Sequence, residues 1–156
     1  MDFTKAQIQD ADEILALQKL CYKEIAEYYG EPGMPPMIQS IESMREQIQT
    51  QTVLKCIKEG RIAGSVRGYE KEGTCFIGRV IVHPDFRRQG IARQMMAAIE
   101  NSFPDCRRFE LFTGHKSTHL IGMYGKMGYK EYKKEMITPN VSHVLMEKQV
   151  KTEDKG

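Results

Sequence analysis

Tryptophan is absent from the 156 residues, and so is any long apolar run. A helix that crosses a membrane needs roughly 18 consecutive apolar residues, and no stretch approaches that length. The start, Met1-Asp2-Phe3-Thr4-Lys5, lacks the basic segment and apolar run of a secretory leader, so none is expected. Cysteine is sparse: Cys21, Cys56, Cys75 and Cys106 stand far apart, and none forms a C-x-x-C pair. Their apolar neighbours favour reduced, mostly buried thiols in a cytoplasmic protein. No Gly-x-x-x-x-Gly-Lys-Ser/Thr run exists, which argues against a nucleoside triphosphatase built on that loop. Charge imbalance is also missing. Lys and Arg number 23 against 21 Asp and Glu, a net +2 that by itself points to neither nucleic acid nor an anionic surface.

What is present fits one domain over 1–150 followed by a polar tail at 151–156, with no repeat and no linker. A short strand is expected over 2–7. Asp10, with Glu13 three residues on, reads as the start of a helix that buries Ile14, Leu17, Cys21 and Ile25. Glu31-Pro32-Gly33-Met34-Pro35-Pro36 reads as loop. Ile38, Ile41, Met44 and Ile48 mark a second helix. Strands follow over 53–58, 61–69 and 74–82, joined by Glu59-Gly60 and Glu72-Gly73. Gly78 interrupts the third and suggests a bulge. A helix from Gly90 to about Ser102, a strand over 108–113, a helix over 117–127 and a last strand pair complete the order. The fold class is α/β: one mixed, mostly antiparallel sheet with about four helices on its faces.

The densest stretch is Val80-Ile81-Val82-His83-Pro84-Asp85-Phe86-Arg87-Arg88-Gln89-Gly90-Ile91-Ala92-Arg93. A strand ends, a Pro-stopped turn follows, and a helix begins on a glycine. A helix N-terminus offers unpaired N–H groups and partial positive charge, so an anion is stabilised there. Arg87, Arg88 and Arg93 add charge, while Gly90 and Ala92 keep the approach small. The bland alternative is a solvated basic turn; the strand-turn-helix context favours a pyrophosphate cradle.

Arg87-x-x-Gly90-x-Ala92 resembles the signature of the GNAT superfamily of acetyl-CoA-dependent N-acetyltransferases. Tyr124-Gly125-Lys126-Met127-Gly128-Tyr129 resembles a second segment of that family, downstream in the right order. The resemblance implies a sheet splayed at the cofactor strand, with a bulge at Gly78 or Arg79. It implies that acetyl-CoA is held by Val80, Ile81 and Val82 along the strand and by Arg87, Arg88, Gln89, Gly90, Ile91, Ala92 and Arg93 at the pyrophosphate. It assigns the Val82 amide to the thioester carbonyl and Tyr124 to protonation of the departing thiolate. Ser117 stands where many members carry Asn, which leaves that one cofactor contact open. The implied reaction is direct attack of a primary amine on acetyl-CoA.

The general base is not visible; Glu24, Glu27, Tyr28, Glu110, His143 and a water chain are all candidates. Tyr28, Tyr29 and Met34 are expected to shape the acceptor pocket, against the alternative that they pack the helix pair. His115 and His119 share helical ligand spacing without further support, so no metal is expected. The rival to an enzyme is a non-catalytic module that binds CoA, or nucleic-acid phosphates, with the same Arg-rich turn. Nucleic acid and membrane are not expected as partners; an exposed last strand leaves a homodimer open.

Overall fold

The computed structural model describes residues 1–150. The tail expected over 151–156 lies outside the described residues. The elements are β1 (Thr4–Lys5), α1 (Ala11–Tyr29), α2 (Pro35–Ile38), α3 (Ile41–Thr50), β2 (Thr52–Lys58), β3 (Arg61–Lys71), β4 (Thr74–Val82), α4 (Ile91–Asn101), β5 (Arg108–Gly114), α5 (Thr118–Lys126), β6 (Lys130–Thr138) and β7 (Val141–Gln149). The strands form one mixed sheet in the order β1-β2-β3-β4-β5-β7-β6. This is the expected α/β class, with five helices among the described residues where about four were anticipated.

The extra helix is α2, in a stretch read from sequence as loop. Proline breaks a helix interior but suits the first turn, where its missing N–H has no partner to lose. Pro35 and Pro36 occupy that first turn, so the pair starts a helix instead of preventing one. The buried Gln18 of α1 secures it, donating to the Pro36 carbonyl at 3.0 Å and to Gln39 Oε1 at 2.8 Å.

Two compact units divide the chain, one of Met1–Tyr69 with Ile77–Ser102, the other of Glu70–Phe76 with the described chain from Phe103 on. In the first unit, β1 and β2 pair antiparallel, Thr4 opposite Lys55, and β2 pairs antiparallel with β3 across Leu54 and Val66. Apolar residues at helical spacing on α1 (Ile14, Leu17, Cys21) meet Met44 and Ile48 of α3 and Val53, Ile62 and Ile81 of the sheet in one buried cluster.

Asp10 behaves differently from its expected role. It precedes α1 but makes no capping bond to it. Its carboxylate instead accepts from the Gln7 amide at 2.8 Å and from Lys55 Nζ at 2.7 Å, closing the 3-10 turn Ile8–Asp10 onto β2. Burial would raise its pKa, but the Gln7 amide and Lys55 together hold it below the usual carboxylate value. Glu13, expected to complete a capping box, accepts from the Ile62 amide at 2.7 Å and ties α1 to β3.

Helix α4 buries Ile91, Met95, Met96 and Ile99, each at most 2% exposed. Such residues stabilise by about 1.5–3 kcal/mol apiece, enough to fix the helix and therefore its N-terminus. Its close seat depends on Gly64 of β3. A Cβ there would stand 3.0 Å from the Ile81 carbonyl oxygen and 3.0 Å from Met95 Sδ.

In the second unit, residues 74–76 of β4 run parallel to β5, Thr74 opposite Arg108 and Phe76 opposite Glu110. β5 pairs antiparallel with β7, and β7 with β6. β6 is exposed along nearly its whole length. Arg108 holds Glu110 at 2.7 Å and Glu147 at 2.8 Å.

Candidate functional site

The first unit carries the strand-turn-helix expected from sequence. β4 ends at Val82, a 3-10 turn spans Pro84–Phe86, and α4 begins at Ile91. The turn is internally fastened. Asp85 donates its amide to His83 Nδ1 at 3.1 Å, Phe86 donates to the His83 carbonyl at 2.9 Å, and the buried Phe86 ring lies under Arg61. His83 is therefore a turn residue.

Within residues 87–90 the backbone alternates. Arg87 is extended at φ −69, ψ 160, Arg88 is left-handed at φ 63, and Gly90 is left-handed at φ 78. A left-handed arginine is uncommon and costs energy unless its surroundings enforce it. Gly90 is glycine for its φ, not for space: a Cβ there would meet only Gln94 Nε2, at 3.8 Å. The first bond of α4 runs from the Gln94 amide to the Gly90 carbonyl at 3.1 Å. The amides of Ile91, Ala92 and Arg93 precede it and have no acceptor inside the helix. They emerge at an exposed surface flanked by Arg87, Arg88 and Arg93. A left-handed residue just before a helix N-terminus with unpaired first-turn amides suits an anion. Arg87 meets Glu24 at 3.4 Å in an exposed pair of little energetic weight. Gln89 accepts from Lys58 Nζ.

The cofactor strand shows the irregularity placed at Gly78 or Arg79. It falls on Arg79, whose φ is 51. Of the predicted strand residues, Ile81 is a core residue and Val80 and Val82 are partly exposed. His83 donates its amide to the Ala63 carbonyl at 2.8 Å, on the β3 side. Alternation along an extended strand then turns the Val82 N–H to the other edge of β4. The Val82 carbonyl accepts from the Cys21 thiol at 3.3 Å. Burial, opposed by Arg87, pushes that thiol above its ordinary pKa and leaves it a poor nucleophile.

The acceptor residues divide. Tyr28 is exposed, Met34 is partly exposed, and Tyr29 is buried at 3%, edge-on to Tyr28 at 5.5 Å. Tyr29 packs in the core, in line with the alternative that these residues pack the helix pair. Sequence reading missed Arg67 and Arg79 as a pair, because they lie 12 residues apart on β3 and β4.

In the second unit, Tyr124 sits near the end of α5, buried and edge-on to Tyr129 at 6.1 Å. Its carbonyl accepts from the Met127 and Tyr129 amides, closing the helix before Gly128. Ser117 stands at the N-cap of α5 and makes no side-chain capping bond. Among the base candidates, Glu110 is committed to Arg108. His143 stacks on Phe112 at 4.1 Å, and burial lowers its pKa despite Glu135, leaving it neutral near pH 7. The Ser142 amide donates to His115 Nδ1 at 3.0 Å, and His119 is exposed. No cluster of three metal-ligating side chains occurs among the described residues.

A family model described as an acetyltransferase (GNAT) domain matches residues 21–150. The chain belongs to the GNAT acetyltransferase family. The GNAT fold is matched in solved structures too. The ribosomal-protein-S18-alanine N-acetyltransferase of Escherichia coli superposes with a TM-score of 0.79 at 12% identity, over 97% of this chain and 94% of that one. A Streptococcus mutans protein reaches a TM-score of 0.81 at 15% identity, over 97% and 100%. The PaiA N-acetyltransferase of Thermoplasma acidophilum, solved with coenzyme A, gives a TM-score of 0.71 at 15% identity, over 96% and 98%. Among curated proteins, the UPF0157 protein YqkA of Bacillus subtilis is 28% identical over 122 residues, 78% of this chain and 35% of that protein. An acetyltransferase of Pectobacterium atrosepticum is 34% identical over 76 residues, 46% of this chain and 52% of that protein. The chain thus spans about a third and about half of the curated relatives it matches.

Proposed function

We propose that this GNAT chain transfers the acetyl group of acetyl-CoA to a primary amine by direct attack, with no covalent enzyme intermediate. The observation that carries the reading is the cradle at residues 87–93. Left-handed Arg88 and Gly90 open the first-turn amides of α4 beside three exposed arginines. The donor set fits a pyrophosphate: several N–H groups, positive charge, and no carboxylate among residues 87–93. Val80, Ile81 and Val82 would offer their strand edge to the pantetheine arm by main-chain pairing. Ser117 remains an optional cofactor contact.

Two of the chemical demands then have a residue, and the proton shed by the amine passes to a water chain or to one of the candidate bases. The amine must attack as the neutral base, although its free pKa lies near 10. Negative charge developing on the thioester oxygen is met by the Val82 amide. The departing thiolate takes a proton from the Tyr124 hydroxyl. Tyr28 and Met34 would border the acceptor. The four buried free thiols agree with a reducing, cytoplasmic setting. Among the described residues no helix is long and apolar enough to cross a membrane.

The test is a thermal melt with and without acetyl-CoA, followed by a CoA-release assay over an amine panel. Acetyl-CoA at a hundred times its Kd should stabilise by about 2.7 kcal/mol. No shift at saturation would reject the reading. A shift without CoA release across the panel would favour a non-catalytic CoA-binding module.

A further inference from the structure

Arg67 of β3 and Arg79 of β4 are partly buried cations with no carboxylate in reach. Among the described residues neither forms an ion pair, whereas Lys55, Arg61, Arg87 and Arg108 all do. Arg67 donates to Gln47 Oε1, a neutral acceptor. Arg79 lies over the Tyr22 ring, 5.9 Å from guanidinium carbon to centroid, and its Nε is buried with no hydrogen-bond partner. Buried N–H donors are almost always satisfied, so an orphan of this kind calls for an explanation. Burial and the neighbouring Arg79 charge together lower the Arg67 pKa to about 10; burial lowers that of Arg79 as well. Arg79 also meets the Tyr22 hydroxyl, so the two partly buried guanidiniums have a phenol and an amide as partners but no carboxylate among the described residues, an arrangement that favours an anion.

The same two side chains line one recess, with Gln18 of α1, Met44 and Gln47 of α3, Val53 of β2 and Ile81 of β4. Its enclosed space is about 10 Å³, room for one water-sized group, so an anionic end group would meet the two guanidiniums at the open mouth of the recess. Arg79 is also the left-handed residue of the strand assigned to acetyl-CoA, which aims it at a specific place at some cost in backbone energy.

We infer that the Arg67–Arg79 recess is an anion receptor that selects an amine acceptor carrying a carboxylate or a phosphate. The specificity half of this statement rests on the acetyltransferase reading; the anion receptor itself does not. Guanidinium recognises both anions by paired N–H···O bonds, and Tyr22 and Gln47 steady the two forks.

Two measurements separate the claims. Stabilisation of the protein by acetate and by inorganic phosphate needs no catalysis. Each should raise Tm in wild type by more than in Arg67→Gln and Arg79→Gln, which keep the cradle at 87–93 and so report the anion binding there; the larger difference names the preferred anion. CoA release from acetyl-CoA is then compared for alanine against alaninamide and for aminoethyl phosphate against ethanolamine. Alaninamide has the less basic amine and so more of the neutral nucleophile, which biases the first pair against the inference. At least one anionic partner should be favoured by about tenfold to a hundredfold in kcat/KM, the range of charge-assisted hydrogen bonds. The preference should fall to near unity in Arg67→Gln and persist in part in Arg67→Lys. Without anion, Arg67→Gln should melt no lower than wild type, because it relieves repulsion; a purely structural arginine would melt lower. An anion-induced Tm rise that is absent, or equal in wild type and both variants, overturns the receptor. Turnover with no preference for anionic amines overturns the specificity while leaving the acetyltransferase reading intact.

Discussion

The first unit holds two groups of arginine with opposite settings. Arg87, Arg88 and Arg93 stand exposed around a helix N-terminus. Arg67 and Arg79 are drawn inward from two strands, one of them over an aromatic ring and with an orphaned donor. Water screens the first group, so its charge could steer and anchor a large polyanion without costing the fold much. The second group is screened far less, so it discriminates strongly and burdens the empty protein. On the proposed reading, one chain would separate anchoring from selection by the depth at which it places the same side chain.

Substitutions can break this contrast at either end. The largest effect is expected at the cradle. Gly90 holds φ 78, which any side chain strains, so Gly90→Asp should fold but melt modestly lower than wild type. Its carboxylate would face the pyrophosphate, and acetyl-CoA affinity should fall beyond detection by calorimetry. Next, Tyr124→Phe should lower kcat by about 10²-fold or more, with acetyl-CoA affinity nearly unchanged. Unaltered turnover would remove Tyr124 from the chemistry.

Stability changes should be smaller and should sort by whether a buried polar group has its partner. Gly64→Ala is a purely steric control: its Cβ would meet the Ile81 carbonyl at 3.0 Å, costing about 1–3 kcal/mol in urea unfolding. Asp10→Asn breaks a satisfied pair with Lys55 and should cost about 1–3 kcal/mol. The folded pKa of Asp10 is depressed, so its contribution is present above its unfolded value near 3.8 and lost as pH falls through the lower folded value. Wild type should lose stability over that acidic window while Asp10→Asn shows a flatter profile. If Asp10→Asn melts like wild type and Arg67→Gln melts far below it, the contrast between partnered and unpartnered charge is reversed.

The cradle was legible because it is contiguous. Strand, proline, arginines and glycine lie within 14 residues, and β4 spans Thr74–Val82 as read. Asp10 was misassigned because its carboxylate had two better partners, one of them 45 residues away on β2. Helix α2 was missed because two prolines read as a breaker when no position within the helix is known. The paired guanidiniums were beyond reach of pattern: nothing in Arg67 or Arg79 alone reveals that β3 and β4 bring them to one recess while denying them a carboxylate. Local chemistry survives in sequence; chemistry made by a missing counter-charge appears only when the surroundings are assembled.

The most direct test of the central claim is calorimetric titration of acetyl-CoA into wild type and Gly90→Asp side by side, with matched melting curves. The account predicts saturable binding to wild type, none to Gly90→Asp, and a cooperative melt for both proteins, that of Gly90→Asp only modestly lower without ligand. Equal affinity in both, or no binding to wild type, would contradict it.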